Sequence, residues 1–81
     1  MSFTPELVAE LEILALYSLE NSQEGLKIHH TAAPQAIAAA KRLHEKELIT
    51  QPDGGYLTSL GRDAAEHAQS LLTILTTQET A

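Results

Sequence analysis

The sequence predicts a mainly helical α+β fold with one small β-hairpin, in the order α-β-α-β-β-α. Three observations carry that prediction. Apolar residues recur at helical spacing in three separate stretches. Two short β-prone runs flank Asp53-Gly54-Gly55, a hairpin signal because aspartate and glycine tolerate the positive φ such turns need. The 81 residues, 43% of them apolar, have the material for one small core. A single domain over residues 1–81 follows, with an ordered core from about 4 to 76.

Thr4 is a good N-cap for the first helix, Pro5 suits its first position, and Glu6 favours the positive end of the helix dipole. At about 100° per residue, Leu7, Val8, Leu11, Leu14, Ala15 and Leu19 fall on one face, which is the expected core stripe. Glu6, Glu10, Glu12 and Glu20 fall elsewhere, as a solvated face should. Residues Asn21 to Gly25 break the pattern. Leu26-Lys27-Ile28-His29-His30 then alternates as a short half-buried strand does.

A second helix is predicted from Pro34 to Lys46, with Ala36, Ile37, Ala40, Leu43 and Leu48 inward. Gln35, Ala38, Ala39, Arg42, Glu45 and Lys46 are expected outside. After the hairpin, Thr58 or Ser59 caps a last helix to about Thr76. Its inner face reads Leu60, Ala64, Ala68, Leu71, Leu72 and Leu75. Gly61 in its first turn weakens the helix and so points to close packing there. The tail from Thr77 to Ala81 is expected to fray.

A hairpin hinged off a helix in this order is the layout of a winged helix. Arg42-Leu43-His44-Glu45-Lys46-Glu47-Leu48-Ile49, then Tyr56-Leu57-Thr58-Ser59-Leu60-Gly61-Arg62, resembles the end of winged-helix domains in small bacterial regulators. The whole chain resembles a small uncharacterised gammaproteobacterial family labelled as related to a DNA-binding protein inhibitor. The segments carrying that likeness are Pro5-Glu6-Leu7, Glu24 to His29, Ala32-Ala33-Pro34 and Tyr56 to Gln69. The resemblance implies a winged-helix-like fold and a role linked to transcription. Two departures from the pattern stand out. Glu47 occupies a position usually held by glycine, where the chain often turns through positive φ. Between Asn21 and Pro34 there is room for at most one turn, so the positioning helix of a helix-turn-helix is missing or vestigial.

Five basic against eleven acidic side chains give a net charge of −6, which excludes a general nucleic-acid coat. The charge is segregated, however. Lys27, Lys41, Arg42 and Lys46 against Glu45 leave residues 27–46 at +3. The expected DNA-contacting set is Gln35, Ala38, Lys41, Arg42 and Lys46, with alanines keeping the helix slim near a phosphate backbone. The alternative is a solvated face with ordinary cations at a helix C-terminus.

Opposite the expected core stripe of the first helix lie Ala9, Ile13, Leu16 and Tyr17, read as a partner interface that Ile74 and His67 of the last helix extend. Catalysis has no visible basis: the sequence holds no glycine-rich phosphate loop and no nucleophile elbow, and Glu10 and Glu12 do not share a helix face. Adjacent His29 and His30 point apart on a strand, and no histidine pair has helical chelating spacing, so no metal is expected. With no cysteine, a disulfide framework is excluded.

The expectation is a cytoplasmic, non-enzymatic module acting through a homodimer or a protein partner. Direct DNA binding through helix 34–46 is the alternative. No cofactor, membrane contact or small-molecule substrate is evident.

Overall fold

The computed structural model describes residues 2–21 and 24–77. Its elements are α1 (Pro5–Leu16), β1 (Leu26–Lys27), α2 (Pro34–Glu45), β2 (Ile49–Gln51), β3 (Gly54–Leu57) and α3 (Ser59–Thr76). The order is the one the sequence predicts. Part of the tail expected to fray, residues 78–81, lies outside the described residues.

The capping residues act as read. The Thr4 hydroxyl accepts from the Leu7 N–H at 3.1 Å, and the Thr58 hydroxyl accepts from the Gly61 N–H at 2.9 Å. α1 is shorter than predicted. It stops at Leu16 because Tyr17 turns extended, so Leu19 lies beyond the helix. Gln69 of α3 takes over the open end, its amide donating to the carbonyls of Leu14 (3.2 Å) and Tyr17 (2.7 Å). Arg62 donates to the Leu19 carbonyl at 3.0 Å.

The three strands form one antiparallel sheet in the order β1-β3-β2. Leu26 sits opposite Gly55 and Lys27 opposite Gly54. The hairpin turn is Pro52-Asp53, while Gly54 and Gly55 belong to β3, both at positive φ. At Gly54 a Cβ would lie 2.1 Å from the Leu26 carbonyl, so glycine there is what lets β1 join the sheet. Between β1 and α2, residues 28–33 make only a turn, closed by the Ala32 N–H on the His29 carbonyl at 2.9 Å. The result is a mainly helical α+β layout with no helix among the described residues between β1 and α2.

The junction of α2 with the hairpin is a Schellman motif. The Leu48 N–H reaches the Leu43 carbonyl and the Glu47 N–H reaches that of His44, both at 2.9 Å. Glu47 holds the left-handed position of the motif at φ 65°. Its carbonyl accepts from the Thr58 hydroxyl at 2.6 Å, and Thr58 N–H donates to the Leu48 carbonyl at 3.0 Å. Gly61 lies directly against this corner: a Cβ on it would stand 1.7 Å from the Leu48 oxygen.

The core corrects the reading of α1. Ala9, Ile13, Leu14 and Tyr17 are buried, packed with Ala39, Ala40 and Leu43 of α2, Ile49, and Ala65 and Ala68 of α3. The buried arc of α1 is thus turned roughly 130° from the expected Leu7–Leu11–Ala15 stripe, at about 100° per residue. Ala39, expected outside, is fully buried. Small residues at 9, 39, 40, 65 and 68 let the three helices approach closely.

Candidate functional site

Glu10 explains the turn of α1. It is only 5% exposed, yet its carboxylate is fully partnered. One oxygen accepts from Arg42 Nε at 2.8 Å and the other from Lys46 Nζ. Arg42 also donates to the Glu6 carbonyl at 3.1 Å. Burial pushes the Glu10 carboxyl up, but the hydrogen bonds and charges of Lys46 and Arg42 outweigh it and hold the group below the usual carboxylate range. Arg42 and Lys46, one turn apart on α2, are therefore committed to α1 rather than held free for a phosphate backbone. Of the five residues expected at DNA, Gln35, Ala38, Lys41 and Lys46 are exposed and Arg42 is half-buried.

The expected partner interface is likewise split. Ala9, Ile13 and Tyr17 lie in the core and cannot meet a partner, whereas Leu16 (63% exposed) and Ile74 (69%) stand in solvent. Tyr17 carries its hydroxyl into the interior, where it finds no hydrogen-bond partner among the described residues. Burial, and after it the charge of Asp53, pushes the phenol up to about 12, so it stays neutral.

A different apolar surface takes the place of the expected one. α1 and α3 run antiparallel, with Gln69 beside the end of α1 and Leu72 and Leu75 beside its start. Between them lies a groove of about 250 Å³ lined by Val8, Leu11, Glu12 and Ala15 on one side and Ala68, Leu71, Leu72 and Leu75 on the other. Its aliphatic residues are ones the sequence assigned to the core. Leu72 continues the buried line of Gly61, Ala65 and Ala68 but is 48% exposed, since α1 covers it only in part. Ser70 to Thr77 carry no charged side chain.

Two of the histidines share a surface: β1 ends at Lys27, so His29 and His30 lie beyond the strand on which they were expected to point apart, and both line one groove. His29 and His30 are exposed, His44 is half-buried, and His67 Nδ1 donates to the Asp63 carbonyl at 2.7 Å. Among the described residues no three His, Asp or Glu come together as a metal-holding group, and no helix is long and apolar enough to cross a membrane.

Sheet order, hairpin and helix corner define a small, mainly helical α+β domain with an uncovered aliphatic groove between its first and last helices. The chain belongs to a family of unknown function, DUF5669, whose sequence pattern matches residues 1–76. Comparison with curated proteins gave no match, and comparison with solved structures gave none either.

Proposed function

We propose that the protein is a non-enzymatic, winged-helix-like interaction module in transcription-linked regulation, and that it works as a homodimer joined through the α1–α3 groove. The observation that carries this reading is the uncovered aliphatic run of Val8, Leu71, Leu72 and Leu75, contiguous on one face. A second copy is the occupant that suits it. Each chain carries −6, so two copies repel across most of their surfaces. The stretch from Ser70 to Thr77 is free of charge, so two such stretches can meet across a two-fold axis, with Glu12 the one charged side chain among the described residues lining the groove.

The magnitudes fit a weak dimer. Eight half-exposed aliphatic side chains contribute on the order of 6–12 kcal/mol, against about 4–15 kcal/mol for lost freedom on association. Sedimentation velocity across a concentration series tests the reading. A dimer that grows in with concentration and is lost in Leu72→Asp supports it, and a strict monomer at hundreds of micromolar refutes it.

Direct DNA contact through α2 is the second reading, and it has less support. Arg42 and Lys46 are held by Glu10, and the β2–β3 turn offers Asp53 and no base. Anisotropy with duplex DNA at roughly 50 mM salt decides it, since electrostatic contacts are strongest there. Saturable binding lost in Lys41→Gln would favour this reading over the first.

A further inference from the structure

Four of the five cationic side chains have an acidic or carbonyl partner. Arg42 and Lys46 pair with Glu10, Lys27 pairs with Asp53 at 2.9 Å, and Arg62 donates to the Leu19 carbonyl. Lys41 alone has no acidic or carbonyl partner among the described residues. It stands on the rim of a groove of about 360 Å³ between α2, the exit of β1 and the β2–β3 turn. His29 and His30 line the same groove, neither ring with a partner among the described residues. Its floor is apolar, made by half-buried Ile28 and Ile37 and the ring of Pro52.

We infer that this groove is a binding site for a small organic monoanion, a carboxylate on an apolar body. The charge arithmetic selects the class. One unpaired permanent cation matches one negative charge, and the imidazoles of His29 and His30 supply further N–H donors. The Asp53 carboxylate on the same rim, already satisfied by Lys27, opposes a dianion such as inorganic phosphate. A nucleic-acid backbone brings several phosphates and needs several cations, which this rim lacks. The apolar floor rewards a hydrocarbon or aromatic body of a few carbons, and the volume lies within the usual range for small ligands. The site shares no lining residue with the α1–α3 groove, so it stands whether or not the chain dimerises.

The test is an NMR titration of the full chain with benzoate, benzyl alcohol and inorganic phosphate, followed at the His29 and His30 rings and the Ile28 and Ile37 methyls. Expected is saturable binding of benzoate in the millimolar range or tighter, with benzyl alcohol and phosphate each weaker. Lys41→Gln should weaken benzoate by about 5- to 10-fold, the size of one charge-assisted contact. Lys41 is exposed and touches no partner, so this variant should keep the wild-type spectrum elsewhere. The inference is overturned by benzyl alcohol binding as tightly as benzoate, by phosphate binding more tightly, or by unchanged affinity in Lys41→Gln. Shifts confined to Val8 and Leu72, or none that saturate below about 50 mM, overturn it equally.

Discussion

The Glu10 carboxylate accepts from Arg42 Nε at 2.8 Å across 32 residues of chain, and this contact faces α1 inward along its acidic edge. Breaking it by Glu10→Ala leaves two cations without their acid. Because Arg42 and Lys46 are partly exposed and can turn to water, the loss should be about 2–3 kcal/mol rather than the upper end for buried pairs. Urea denaturation would show it as a lower midpoint.

The same carboxylate makes stability depend on acid. Its folded-state affinity for a proton is lowered, so its contribution is complete above the ordinary value of 4.5 and disappears as pH falls through the lower folded one. Melting temperatures recorded from pH 6 to pH 3 should fall less steeply in Glu10→Gln than in the wild type.

Tyr17 sets the opposite limit. Its phenol keeps its proton to about 12 in the folded chain against 10.0 in the open one, so stability drains away as pH rises through that window. Tyr17→Phe removes both the titration and a buried hydroxyl without a partner. It should melt about 1 kcal/mol higher at neutral pH and resist alkali better. A destabilised variant would contradict the placement of the hydroxyl.

The corner between α2 and α3 predicts two glycine substitutions of opposite sign. Glu47→Gly relieves a left-handed backbone at φ 65° and should add about 0.5–1 kcal/mol. Gly61→Ala drives a methyl into the Leu48 carbonyl and should cost about 3 kcal/mol or prevent folding. Thermal melts of the two variants measure both.

Aspartate placed on the two sides of α1 distinguishes its faces. Ile13→Asp buries an unpaired charge in the core and should unfold the chain. Val8→Asp should leave the fold intact and weaken self-association instead, a contrast that circular dichroism combined with light scattering resolves.

The element order was legible because its signals are local. Thr4-Pro5, Thr58, the turn residues around Asp53, and the odd residue Glu47 at a glycine position all act within a few positions of themselves. The facing of α1 was not legible, since its apolar residues run almost all the way round and the buried arc has a glutamate at its middle. Periodicity places a charge outside by default, and here that rule turned the helix the wrong way. The available signal was relational: Arg42 and Lys46, one turn apart, match a single acid on a facing helix. The exposed leucines of α3 were missed for another reason. Their spacing is right for a core, and only the facing of α1, which turns Val8 and Leu11 away from the core, leaves them half-covered.

The last turns of α3 tie folding to concentration. Beyond Gln69 the helix is held by its own backbone bonds, by Thr76 and Thr77 hydroxyls turned back on the Leu72 and Thr73 carbonyls, and by leucines that α1 covers only in part. A short helical end with little tertiary cover is marginal by itself. In dilute solution its amides should exchange with solvent quickly, and at high concentration they should become protected together. The end of the last helix then acts as a sensor of how crowded the chain is with copies of itself.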